Sequence, residues 1–228
     1  MKFIDLTVTY QPDMPGVRWE PARTLERDGW NATTLHLYSH AGTHMDAPLH
    51  FGVSAVTIDQ LPLEQCIGPA WVLHLPATKP SERITVAHLG DLADRIQPGD
   101  GVLIHTDWSR RIGTPSYRDD LPRIGEDLAL WLVEKKVRTL GVEPPSVADV
   151  NNLPEVTRIH QILLGGSVII IEGLCNLDQI RQEQVILIAL PLKYAGGDGA
   201  PARVVAVETD HEATLWRTRT PENGENNG

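Results

Sequence analysis

Residues 168–190 read VIIIEGLCNLDQIRQEQVILIAL. Two unbroken apolar runs, Val168–Ile171 and Val185–Leu190, flank a polar connection. Runs of this length without alternation suit strands covered on both faces. Working outward, further strands are expected at Thr33–His40, Ala70–Leu75, Gly101–Asp107, Thr139–Val142 and Arg203–Glu208. Helical patterns lie between them. Thr85 caps an expected helix to Ile96, ended by the Pro98-Gly99-Asp100 turn. A second helix is expected over Gly125–Lys136. A third is expected over Pro154–Leu164, with proline in its first turn and Gly165-Gly166 at its end. This mixture predicts one α/β domain with a mostly buried mixed sheet. No linker rich in Pro, Gly or Ser divides residues 1–216. The tail RTRTPENGENNG, from Arg217 to Gly228, has nothing apolar to bury and is expected to be disordered.

The chain has 228 residues and a net charge of −10, with Lys+Arg 20 against Asp+Glu 30. That balance argues against a nucleic-acid or anionic-lipid partner, each of which needs a basic surface. Cys66 and Cys175 form no CxxC pair and are read as small buried side chains. The opening MKFIDLTVTY lacks the long apolar stretch of a secretion signal, so a cytoplasmic protein is expected.

Residues 40–51 read HAGTHMDAPLHF, and three of the nine histidines fall there. Gly42 permits a positive φ and Pro48 fixes a second bend. The chain is therefore expected to loop back, presenting His40, His44, Asp46 and His50 to a common point. Imidazole nitrogen and carboxylate oxygen suit Zn²⁺, Mn²⁺ and related divalent ions. One such histidine would be read as a surface or core residue; HxxxHxDxxxH points to a metal site. Glu172 closes the VIIIE run, and a carboxylate at the end of a buried strand calls for a cation or an arginine partner. His160 lies beside Ile159, Ile162 and Leu163 on the third expected helix, hence on or near its buried face. His36 is linked to the cluster only by strand parity and is given a half-buried structural role.

HAGTHMDAPLHF resembles the HxGTHxDxPxHF signature of the cyclase family of metal-dependent hydrolases, which includes bacterial kynurenine formamidase and isatin hydrolase. The resemblance extends to IDLT at the start, Val142–Asp149, His160, IIEGLCNL and ALPLKYAGGDGAPARVVA. It implies a swivelling β/β/α fold, assembled as a homodimer or homotetramer. It also implies a divalent metal, Zn²⁺ or Mn²⁺, at one or two ions per subunit. Carried over, His40, His44 and Asp46 would hold a first ion. His160 and Glu172 would supply a second site, with Asp46 and Glu172 able to bridge. His50 would be the acid–base residue rather than an obligate ligand.

Such an ion lowers the pKa of water from 15.7 to about 7, so no serine or cysteine nucleophile is required. No GxSxG is present, and neither cysteine has a neighbouring histidine in sequence. The expected activity is hydrolysis of an amide C–N bond in an aryl formamide or cyclic amide of a small-molecule substrate. Kynurenine formamidase activity proper is the closest alternative. A metal-containing binding protein without catalysis is the reading from another class, and His50 argues against it. Trp19 and Phe51 are the aromatic candidates for the substrate. The order Met14-Pro15-Gly16-Val17-Arg18-Trp19 departs from the Pro-Gly-Asp turn with adjacent tryptophan that kynurenine formamidases tend to carry. Thr43 and Phe51 likewise stand where those enzymes tend to have alanine and tyrosine. Two other features are open: the glycine-rich loop Lys193–Pro201 with its Asp198, and Asp107-Trp108 at a strand end.

Overall fold

In the computed structural model, which describes residues 1–209, the apolar runs become the centre of one large sheet. The strands are β1 (Lys2–Asp5), β2 (Val17–Arg23), β3 (Ala32–Leu37), β4 (His44–Asp46), β5 (Ile67–His74) and β6 (Arg83–Ile84). They continue as β7 (Gly101–His105), β8 (Arg123–Ile124), β9 (Thr139–Val142), β10 (Ile169–Glu172), β11 (Gln184–Pro191) and β12 (Gly199–Glu208). The main sheet has the order β1-β12-β11-β5-β7-β9-β10-β4, and β4 pairs with β12 as well. That second pairing closes the sheet into a mixed barrel. Within this sheet β5, β7, β9 and β10 run parallel and the other ladders are antiparallel, while β6 and β8 form a separate parallel pair.

Successive strand residues point to opposite faces, so the buried strands feed two separate cores. Met45, Val72, Leu103, Ile169 and Ile171 pack with Leu187 and Val204 on one face. Trp71, Val102, Ile104 and Ile170 pack on the other, against Leu128 and Leu132 of the helix Glu126–Glu134 and Leu163 of the helix Leu153–Gly165. Each such fully buried side chain contributes about 1.5–3 kcal/mol. Parity then decides where the polar residues go. With Ile171 and Met45 on the first face, Glu172, His44 and Asp46 turn toward the second, where the helix Leu153–Gly165 lies.

Three expectations need correction. The expected strand Thr33–His40 is shorter, ends at Leu37, and pairs only with β2 in a separate two-stranded ribbon. Its alternating apolar residues have no core to meet: Leu35, Trp19 and Tyr38 stay exposed, and His36 faces Glu20 at the surface rather than sitting half-buried. The segment His44–Asp46, read as looping chain, is a buried strand at the barrel seam. The expected helix from Thr85 to Ile96 is broken at Gly90-Asp91 into a turn of 3-10 helix, Val86–Leu89, and a short helix, Leu92–Arg95. The tail from Arg217 and the expected domain limit at residue 216 lie outside the described residues. Among those residues, no helix is long and apolar enough to cross a membrane.

Candidate metal centre

The seam assembles the site. Glu172 pairs with His44 across the β10–β4 ladder, and on the far side of β4 His44 and Asp46 face Pro201 and Gly199 of β12. The turn before β4 must pass very close to the chain leaving β10. Gly173 has φ +68, and any side chain there would run into the Gly42 carbonyl. Thr43 stitches the two segments, its Oγ1 donating to Gly173 O at 2.6 Å and accepting from Val8 N at 2.9 Å.

Four ligand-type side chains meet around Asp46. Glu172 Oε2 lies 3.1 Å from His44 Nε2, and Glu172 Oε1 lies 3.4 Å from His160 Nε2. Asp46 Oδ1 is 2.9 Å from His40 Nδ1 and 3.7 Å from His44 Nε2, while its Oδ2 is 3.7 Å from His160 Nε2. His44 donates its Nδ1–H to Gly42 O at 2.9 Å, and His160 donates its Nδ1–H to Val156 O at 2.7 Å. Each ring therefore turns its Nε2 toward the carboxylates. Glu172 is further held by Val147 N–H at 2.8 Å.

His50 completes the cluster from the other side. Its ring stacks on His40 with centroids 3.9 Å apart, and its Nδ1 is 3.6 Å from Asp198 Oδ2. Phe51 stacks on His160 at 4.2 Å and meets His50 edge-on. Within these contacts, His40, Asp46 and His50 bring donor atoms within 4.8 Å of one another, as do His44, Asp46 and Glu172. Asp46 is common to both sets. Trp19 is not part of this assembly. It sits on β2 opposite Leu35, 37% exposed, with no ring contact to these side chains among the described residues. Asp107 also points elsewhere, to His105 and Arg110, and Trp108 is buried with its Nε1–H on Tyr117 O.

A match to the family model "Putative cyclase" spans residues 4–149. The chain belongs to the cyclase family. Among its relatives is a kynurenine formamidase of Salinibacter ruber, 34% identical over 195 residues, with 82% of this chain and 84% of that protein covered. One of Geobacillus thermodenitrificans is 32% identical over 82% of this chain and 83% of its own length. Isatin hydrolase A of Ralstonia solanacearum has a similar structure, with a TM-score of 0.82 and 27% identity over 91% of this chain and 92% of that one.

Whether this family member's own residues fit an ion is decided by its polar atoms. Asp46 Oδ2 is buried without a hydrogen-bond partner, and His44 Nε2, though 3.1 Å from Glu172 Oε2, makes no well-aligned hydrogen bond. Such an orphan costs roughly 1–3 kcal/mol, and more when charged. A cation held by this cluster would satisfy such atoms, and imidazole plus carboxylate is the donor set of a divalent ion with open positions rather than of a closed structural zinc. The electrostatics agree. Burial alone would raise Glu172, but the His160 and His44 imidazoles hold its carboxyl well below the usual range. Burial would likewise lower His44 and His160, yet the Glu172 carboxylate, with Asp46, drives both upward. His50 goes the other way: burial lowers it, against the pull of Asp46, so it is neutral near pH 7.

Two parts of this arrangement were not read from sequence. Strand β4 has only three residues, and the breakers Gly42 and Pro48 mask its polar–apolar–polar alternation. In the sequence Asp198 is one residue of a glycine-rich loop, and nothing there ties it to His40, which is 158 positions away.

Proposed function

We propose that the chain hydrolyses the C–N bond of an aryl formamide or a cyclic aryl amide, using Zn²⁺ or Mn²⁺ held by His40, His44, Asp46, His160 and Glu172. The observation that carries this reading is the pair of buried polar atoms that lack a well-aligned hydrogen bond, His44 Nε2 and Asp46 Oδ2, inside a ring of histidines and carboxylates. When bound, the ion polarises a carbonyl and acidifies water to a pKa of about 7.

His50 is the acid–base residue. Its side chain is the most accessible of the cluster's histidines at 23%, and among the described residues no backbone carbonyl pins either of its nitrogens, unlike those of His44 and His160. A ring that is neutral near pH 7 takes a proton from the attacking water and returns it to the leaving nitrogen. Phe51, between His50 and His160, offers the apolar wall for an aryl substrate. Trp19 goes with the exposed ribbon instead.

Kynurenine formamidase activity proper is favoured by the relatives of that name, and isatin hydrolysis by the structural likeness. A screen of N-formylkynurenine, isatin and other aryl amides with Zn²⁺, with Mn²⁺ and after chelation tests the reading. Turnover that needs a metal supports it. Ion binding with no turnover on any of them would favour a catalytically silent binding protein. The same proposal includes assembly as a homodimer or homotetramer, supported by the exposed Trp19, Leu35 and Tyr38 of the ribbon; light scattering measures it.

A further inference from the structure

His40 is held between two carboxylates. Its Nδ1 lies 2.9 Å from Asp46 Oδ1, and its Nε2 lies 3.0 Å from Asp198 Oδ2. Asp46 belongs to the ligand sets, but Asp198 belongs to neither. We propose that Asp198 is the positioning residue for His40: it accepts the Nε2–H, fixes the tautomer, and thereby presents Nδ1 to the ion beside Asp46. This inference rests on the metal-site reading above and adds the residue that organises it.

The loop that carries Asp198 is built to hold it still. Asp198 O accepts from Ala47 N at 2.9 Å, one residue after Asp46. Gly197 O accepts from Ile58 N at 2.8 Å, and Gly196 N donates to Asp59 Oδ1 at 3.0 Å. Tyr194 donates its hydroxyl to Gly199 O at 2.8 Å, across the turn. The ring is confined from the other side too. A Cβ at Gly199 would stand 2.6 Å from His40 Cε1, so the strand can pass the ring only as glycine. Rotation of His40 is blocked by the stacked His50 ring at 3.9 Å.

A carboxylate on the outer nitrogen of a ligating histidine fixes the ring and increases its basicity, and its loss typically weakens metal binding about 10–100-fold. Three variants separate this role from a general effect on the loop. Asp198→Ala removes the acceptor. Asp198→Asn keeps an oxygen of the same reach. Asp59→Ala frees Gly196 N and loosens the same loop without touching His40. The readouts are Zn²⁺ affinity by chelator competition and the visible spectrum of the Co²⁺-loaded protein.

Asp198→Ala is expected to bind Zn²⁺ about 10–100-fold more weakly with an altered Co²⁺ spectrum. Asp198→Asn should recover part of that loss, and Asp59→Ala should stay near wild type. Should Asp198→Ala fail to fold, imidazole ¹⁵N spectra of the Zn²⁺-loaded wild type decide alone, with the proton expected on His40 Nε2. Wild-type affinity in Asp198→Ala, an equal loss in Asp59→Ala, no recovery in Asp198→Asn, or a proton on His40 Nδ1 would each overturn the assignment. A wild-type chain that takes up no ion would instead remove the metal-site reading itself.

Discussion

Glu172 and His44 are cross-strand partners at the seam of the barrel, and Glu172 Oε2 lies 3.1 Å from His44 Nε2. A one-residue slip of β4 in this ladder would turn His44 and Asp46 toward the opposite core. Strand register thus fixes the proposed ligand set, with the Ile169 and Ile171 side chains anchoring that register from the other face.

Glu172→Gln keeps the volume and the acceptor for Val147 N–H but removes the charge. Divalent-ion affinity, measured calorimetrically, should fall at least about tenfold, the lower end of what even a purely outer contact typically contributes. Unchanged affinity would remove Glu172 from the ligand set.

Ion uptake should depend on pH through His40. Burial alone would lower its pKa, but the Asp46 contact and charge, with Asp198, push it up to about 9. The folded value lies above the ordinary 6.5, so the stability linked to this proton is complete below about pH 6.5 and is lost as pH rises through about 9. An ion competes with the same proton. Affinity should therefore climb with pH between these limits, by about tenfold per unit for each proton displaced. His44 and His160 act in the same direction. Chelator competition at three pH values across this window, with the metal-free melting temperature alongside, tests both halves. A flat profile would contradict the protonated, metal-free site.

Thr43→Val should destabilise the fold without altering any ligand. It leaves Gly173 O without its donor in the interior and Val8 N without its acceptor at a half-buried position. An unsatisfied buried group costs roughly 1–3 kcal/mol. Denaturant unfolding should register a loss of that order or larger. A loss under about 0.5 kcal/mol would show that these bonds do not stitch β4 to β10.

Much of this was legible in the sequence where the physics is local. The apolar runs mark β5, β7 and β9–β12 because strands buried on both faces need no alternation. HxxxHxD marks the cluster because histidines and a carboxylate between Gly42 and Pro48 have few other uses. The ribbon differs from its sequence pattern because Leu35 and Leu37 alternate like a half-buried strand; exposure, unlike alternation, depends on the partners a strand finds. The helix from Thr85 failed because its pattern spans two short pieces divided at Gly90-Asp91. Asp198 was out of reach, since its role arises only when β12 closes the barrel against β4.

The central claim joins metal and proton transfer, and His50→Ala tests it in a single preparation when bound metal and kcat on N-formylkynurenine are measured together. The account expects full metal content with kcat lowered about 10²–10⁴-fold, the usual contribution of a positioned acid–base group. Full metal with full turnover would contradict it.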